Sequence, residues 1–177
     1  WAEGAFLEPS RRLGHANLYA ASQAIHHWDQ PCKTLLSEGQ QKYDKAIVIH
    51  AYYLDVLEQI ASLVEQSGLE LDVWVTVSKP NDVEEVRKYW PDARVYQVPN
   101  LGRDVAPFLA VFPELKPHAY QAVLKLHTKK SLHREDGNEW RDYLYNQLLP
   151  DEGKAQQSLT EFIENSHYGM LAPDGHT

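Results

Sequence analysis

From Lys45 onward, short β-branched runs alternate with stretches in which apolar residues recur every three to four positions. Ala46-Ile47-Val48-Ile49 is too short for a helix and rich in β-branched side chains, so it predicts a buried strand, with His50-Ala51-Tyr52-Tyr53 as a polar and aromatic loop at its tip. Leu54 to Gln66 then places Leu57, Ile60, Ala61 and Val64 on one side of a helix that Gly68 ends. A second strand is predicted over Leu71–Val77, and the charged stretch Asp82–Trp90 reads as a helix closed by Pro91. Arg94–Val98 predicts a third strand, Asn100–Asp104 a loop, and Val105–Phe112 a helix that tolerates Pro107 near its first turn. Ala122–Leu126 predicts a fourth strand running into His127-Thr128-Lys129-Lys130-Ser131.

Beyond Ser131 the pattern is helical, first over Gly137–Leu149 and again from Ala155 to Glu164, with a last short strand predicted at Tyr168–Ala172. Strands and helices alternating without tight hairpin signals imply right-handed crossovers. The fold class predicted is therefore α/β, a doubly wound and mostly parallel sheet with flanking helices in three layers. Residues 1–43 give a weaker pattern and are read as a helical extension, with a helix around Asn17–Trp28 stopped by Pro31, ahead of a domain over 44–177.

Composition narrows the functional classes. At 43% hydrophobic and 24% charged residues, 177 residues can bury a core, which excludes disorder and fibrous repeats. Seventeen Lys+Arg against 25 Asp+Glu leave a net charge of −8, so the overall field opposes nucleic acid, although a local basic cluster can still bind an anion. The single cysteine, Cys32, excludes an intramolecular disulfide scaffold and a Cys-based zinc site. No apolar run is long enough to span a membrane, and a chain that begins at Trp1 is expected to be a trimmed piece.

In open parallel sheets ligands bind outside the carboxyl ends of the strands, and the polar residues of this chain gather there. His50, Tyr52 and Tyr53 follow the first predicted strand, Thr76 and Ser78 end the second, Asn100–Asp104 follow the third and His127–Ser131 the fourth. Gly102 permits a positive φ, Arg103 offers a forked donor suited to phosphate or carboxylate, and Asp104 can cap the next helix. The plainer reading of that loop is a turn with a capped helix and a salt bridge. Thr128, Lys129, Lys130 and Ser131, with His127, can hold a diphosphate without a metal; the plainer reading is a solvated basic turn. His50 can serve as a base near neutral pH or as a partner of a backbone carbonyl.

The nine histidines show no metal-ligand spacing, and His26-His27 would point apart on a helix. No Asp-x-Asp follows the fourth strand, and no G-x-G-x-x-G, P-loop or G-x-S-x-G is present, which weighs against a dinucleotide-binding dehydrogenase, a P-loop NTPase and an α/β-hydrolase. Most of the five tryptophans and ten tyrosines are read as packing, although Tyr52, Tyr53 and Trp140 are placed where stacking on a sugar is feasible.

The segments IVIHAYYLDVLEQI, VPNLGRDVAPFL, VLKLHTKKS and GNEWRDYL, in that order, resemble the rhamnan synthesis protein F family of bacterial rhamnose-containing polysaccharide and lipopolysaccharide biosynthesis, over about Lys45 to Ala172. The resemblance implies a GT-A-like nucleotide-sugar domain, truncated on the acceptor side, that transfers a sugar such as rhamnose from a dTDP-, GDP- or UDP-sugar donor to a glycan acceptor. In that frame His50, Tyr52 and Tyr53 lie by the nucleotide, Asn100, Gly102 and Arg103 by the ribose or donor sugar, and Thr128, Lys129, Lys130 and Ser131 by the diphosphate, with Thr76 a further substrate-binding candidate and Asp104 and then His127 as candidate bases. No cofactor is implied, because His-Thr-Lys stands where Asp-x-Asp would hold a divalent metal. The expected partners are donor and acceptor, together with further domains or polysaccharide-assembly proteins, and no nucleic acid. The implied location is cytoplasmic, peripheral to the inner face of the bacterial membrane. Two alternatives stand beside this: a catalytically idle sugar- or nucleotide-sugar-binding module of a larger assembly protein, and a phosphosugar-binding enzyme unrelated to glycosyl transfer.

Overall fold

The run Ala46–Ile49 cannot face water on either side, and it lies inside the sheet with a strand on each flank. The structure is a computed structural model describing residues 33–36, 40–128, 130 and 137–174. Its strands are β1 (Lys33–Leu36), β2 (Lys45–Ala51), β3 (Asp72–Val77), β4 (Arg94–Gln97) and β5 (Ala122–His127). Its helices are α1 (Leu57–Gln66), α2 (Val83–Tyr89), α3 (Val105–Leu115), α4 (Gly137–Leu148) and α5 (Glu152–Glu164). The sheet order is β1-β4-β3-β2-β5. Every contact among β2, β3, β4 and β5 is parallel, and β1 joins antiparallel at the β4 edge. The doubly wound, mostly parallel, three-layer sheet predicted from the alternation is the fold of the chain.

The period of two along each strand sorts the core into two faces. Ile47, Ile49, Val75, Val77, Val95 and Leu126 meet Leu57, Ile60, Val86, Tyr145 and Leu149 on the side of α1, α2 and α4. Ala46, Val48, Trp74 and Tyr96 meet Val111 and Leu115 of α3 on the other side. Side chains as fully buried as Ile47, Ile49, Leu57 and Ile60 each contribute about 1.5–3 kcal/mol. The chain walks outward from β2 through β3 to β4 with α1 and α2 on one face, then returns across the other face through α3 to β5 on the far side of β2. Crossovers of constant hand force that change of face when the direction of travel reverses.

At the amino ends of β3 and β4, under α3, a buried polar network replaces apolar packing. Asp72 accepts hydrogen bonds from the Tyr120 hydroxyl at 2.7 Å and the Lys42 backbone N–H at 3.1 Å, and pairs with Arg94 at 3.7 Å. The Arg94 guanidinium lies over the Trp74 ring, 4.8 Å from its centroid, and Trp74 Nε1–H donates to Tyr120 at 3.1 Å. Burial, together with the hydrogen bond to Asp72, pushes the Tyr120 hydroxyl up to about 12.

Several expectations need correction. The first strand continues through His50 and Ala51, so His50 is a buried strand residue and not a loop residue. Lys33–Leu36 falls in the stretch read as a helical extension, yet it forms an edge strand, its pairing interrupted by a register shift between Thr34 and Leu36. The helix anticipated at Asn17–Trp28 lies outside the described residues. No strand forms at Tyr168–Ala172, where Met170 is 82% exposed with no sheet to cover it. Helix α3 outruns its predicted end at Phe112, carrying an exposed Pro113 inside its last turn.

Candidate functional site

The chain leaves β2 for α1 on one face and reaches β5 from α3 on the other, so the carboxyl ends of β2 and β5 lie side by side where the strand order reverses, the topological switch point of such sheets. Parallel register places His50 level with Thr76 on one side and with His127 on the other. These three side chains share the α3 face, since residues level with one another in neighbouring strands point the same way.

His50 is 6% exposed, and its Nδ1 lies 2.9 Å from the Thr76 hydroxyl. Burial lowers its pKa to about 4, helped by the nearby charges of His127 and Lys125 and opposed by Asp104. The ring is therefore neutral at physiological pH. Asp104, at the start of α3, does not cap its helix with its side chain. Its carboxylate turns to β5, where Lys125 forms an ion pair with Oδ2 and His127 Nδ1 stands 3.5 Å from the same oxygen. Burial pushes this carboxyl up, but the Lys125 hydrogen bond and the charges of His127 and Lys125 outweigh it and hold the group below the usual carboxylate range.

The preceding loop makes this placement possible. Gly102 and Arg103 both adopt left-handed backbone, with φ of 63° and 56°. A Cβ on Gly102 would stand 2.6 Å from that of Ala106, so only glycine lets the loop close on the first turn of α3. Arg103 is exposed at the lip, where it forms no ion pair with the described residues. Asn100 is exposed beside it.

Thr128 has a different task from the one its sequence position implies. It is buried, and its hydroxyl accepts the backbone N–H groups of Tyr52 at 2.9 Å and Tyr53 at 2.8 Å while donating to the His50 carbonyl at 3.3 Å. Thr128 thereby orders the loop after β2. Lys130 joins the same loop through an ion pair with Asp55, its ammonium 5.5 Å from the centre of the Tyr53 ring. Tyr52 is half exposed and packs edge-on against Tyr53, with ring centres 4.9 Å apart. Lys129 and Ser131 lie outside the described residues.

The fold thus brings His50, Thr76, Asp104 and His127 together on the α3 face, keeps Asn100, Gly102 and Arg103 at its lip, and gives Thr128 and Lys130 to the neighbouring loop. The residue the sequence did not single out is Lys125. Its place between Leu124 and Leu126 reads as a solvent-facing position of a strand, and only the arrival of α3 over that face shows where the ammonium goes. Ser78, at the end of β3, has a buried hydroxyl with no hydrogen-bond partner among the described residues. Among those residues no group of three or more His, Cys, Asp or Glu is arranged to hold a metal ion, and no helix is long and apolar enough to cross a membrane.

Two relatives frame this site. The uncharacterized proteins WxcX of Xanthomonas campestris pv. campestris, from strains B100 and ATCC 33913, are each 36% identical to the chain over 179 residues. The match covers 99% of this chain but 25% of each relative, so the chain spans about a quarter of their length. No solved structure is significantly similar to it. Residues 25–177 match the sequence profile of rhamnan synthesis protein F, which includes every strand and helix described above, and the chain accordingly belongs to the rhamnan synthesis protein F family, a family associated with polysaccharide synthesis.

Proposed function

We propose that this domain binds a nucleotide-sugar and transfers its glycosyl group to a growing glycan in the synthesis of a rhamnose-containing polysaccharide. The observation that carries the reading is the convergence of His50, Thr76, Asp104, Lys125 and His127 at the switch point of the sheet, in a chain of this family. Glycosyl transfer needs two things that such a cluster can supply. The acceptor hydroxyl must lose its proton as its oxygen bonds to the anomeric carbon, and the diphosphate must leave with the electron pair of the breaking bond. Asp104, with His127 beside it, takes the proton; lysine and arginine side chains at the rim meet the diphosphate. His50, held neutral, offers a hydrogen bond without adding charge. Tyr52, half exposed on the adjoining loop, offers a face to the base or sugar.

The reading assigns no divalent metal. At the end of β5, where a metal-binding pair of carboxylates would sit, the chain carries His127-Thr128, the Thr128 hydroxyl is committed to backbone, and the nearby Asp104 is neutralised by Lys125. That donor set does not fit a divalent cation. The dTDP-, GDP- or UDP-sugar donor, the glycan acceptor, the further domains or assembly proteins and the cytoplasmic location belong to the same proposal.

A second reading, an idle nucleotide-sugar-binding module, draws support from the Lys125–Asp104 pair, because a carboxylate held below its usual range is a weak base. The test is ligand-observed NMR with dTDP-, GDP- and UDP-sugars, with and without manganese, followed by a transfer assay on Asp104→Asn. Selective, manganese-independent binding together with loss of transfer in the variant supports the enzyme; binding that the variant keeps, with no transfer by either protein, decides for the module. No nucleotide-sugar binding by the folded protein overturns both.

A further inference from the structure

We propose that Lys125 is the residue that receives the anionic part of the ligand, and that its passage from Asp104 to that anion releases the carboxylate to accept a proton. The inference rests on the nucleotide-sugar reading of the site and goes beyond it by naming the exchange that couples binding to proton transfer.

Geometry comes first. Lys125 alternates out of the α1 side of β5, level with Val48 of β2 on the α3 face, two residues before His127. Its ammonium meets Asp104 where α3 begins, on the oxygen that His127 also approaches. The two partners are 32% and 23% exposed, so the pair is open enough for a ligand to reach yet confined enough to be directed. Among the described residues the other lysine in this part of the chain, Lys130, is held by Asp55 on the loop after β2, whereas Lys125 stands at Asp104.

Charge comes second. Among the groups that face Asp104, β5 contributes Lys125 and His127 and β2 the neutral His50, while Arg103, its neighbour in sequence, is exposed at the lip. Asp104 is matched by the single permanent cation of Lys125, and the exposed Arg103 at the lip adds a second positive group for a polyanion that reaches this rim. An ion pair that is partly solvated is worth about 0–1 kcal/mol, so a ligand with two or more negative charges outcompetes a single carboxylate for the ammonium. The flexible four-carbon stem and three rotatable donors of lysine allow the switch without backbone movement. The exchange makes and breaks no covalent bond.

Its consequence for Asp104 has a definite sign. Removal of the Lys125 hydrogen bond and charge takes away two of the influences that hold this carboxyl low, and a phosphate anion nearby raises it further. The carboxylate becomes a better proton acceptor only when the anion is in place, so an empty site wastes no base.

The test uses the full chain, inorganic pyrophosphate as probe, and carbon-13-labelled aspartate observed by NMR, with the Asp104 carboxyl resonance identified by its loss in Asp104→Asn. Saturating pyrophosphate is expected to raise the Asp104 titration midpoint by about one unit or more. Lys125→Met is expected to bind pyrophosphate about tenfold to a hundredfold more weakly, Lys125→Arg to retain most of the affinity, and Asp104→Asn to bind at least as tightly as the parent. Retained amide exchange protection in β5 certifies that each variant is folded. Equal binding by Lys125→Met, an unmoved or lowered Asp104 midpoint, or no pyrophosphate binding by the folded parent overturns the inference. Nucleotide-sugar binding that ignores Lys125 would leave the transferase reading standing while this one falls; pyrophosphate held through Lys125 with no nucleotide-sugar bound would do the reverse.

Discussion

Replacing Thr128 by valine keeps the shape of the side chain and removes one oxygen. That oxygen accepts two backbone N–H groups, those of Tyr52 and Tyr53, and donates to the His50 carbonyl. The carbonyl keeps a partner in the Thr128 N–H at 2.9 Å, but the two donors lose theirs. A buried donor left unpaired costs about 1–3 kcal/mol, and water can reach this loop in part because Tyr52 is half exposed, so the expected loss for Thr128→Val is about 2–4 kcal/mol. Thr128→Ser keeps the oxygen and deletes a methyl group, for about 1 kcal/mol. Urea unfolding followed by tryptophan fluorescence and far-UV circular dichroism reads both changes, and with a slope of about 2 kcal/mol/M the valine variant should unfold about 1–2 M earlier. Amide exchange should quicken at Tyr52 and Tyr53 in the valine variant and stay slow in the serine variant. A valine variant within about 0.5 kcal/mol of the parent would show that these bonds do not hold the loop, and would return Thr128 to the ligand.

Other consequences can be checked independently. His50 titrates at about 4 when folded against an ordinary 6.5, so the unfolded chain binds the extra proton between those values; stability should fall as pH drops through that window, by about 3 kcal/mol in all, and His50→Gln should flatten the slope. Gly102→Ala meets both a left-handed backbone and the Ala106 Cβ, and is expected to cost about 1–3 kcal/mol in thermal or urea unfolding and to weaken nucleotide-sugar binding. Tyr120→Phe removes a donor from buried Asp72 and an acceptor from Trp74, for about 1–3 kcal/mol by urea unfolding, with ligand binding untouched because the network lies at the opposite end of the strands. Ser78→Ala deletes a hydroxyl that has no partner among the described residues, so unfolding should show no loss and a gain of up to about 1 kcal/mol.

The four parallel strands were legible because β2 and β3 are apolar, β-branched-rich runs and β4 and β5 are short apolar-containing segments bounded by turn residues or helical patterns, and their ends fall within two residues of those predicted. What eluded the sequence depended on contacts between distant segments. Lys33–Leu36 becomes a strand by pairing with β4, which four residues cannot announce on their own. Tyr168–Ala172 has the apolar content of a strand but pairs with no strand among the described residues. At the site, the polar rim was visible as a set of residues following strands, and Asp104 with His127 proved to be side by side. The division of labour within that set was not visible. Thr128 turned to backbone because the loop after β2 passes over it, and Lys125 turned inward because α3 begins there; both outcomes depend on residues roughly twenty or more positions away in sequence.

The bonds that tie residues 52–55 to residues 128–130 join two segments more than seventy positions apart into one piece of architecture. For anyone recombining this domain with a relative, those segments are a single cassette. A chimera that imports only the stretch after β5 brings a hydroxyl and an ammonium fitted to a loop it has left behind, and one that imports only the loop after β2 inherits amides with no acceptor. Exchanging both together is the smallest graft that carries this side of the rim intact.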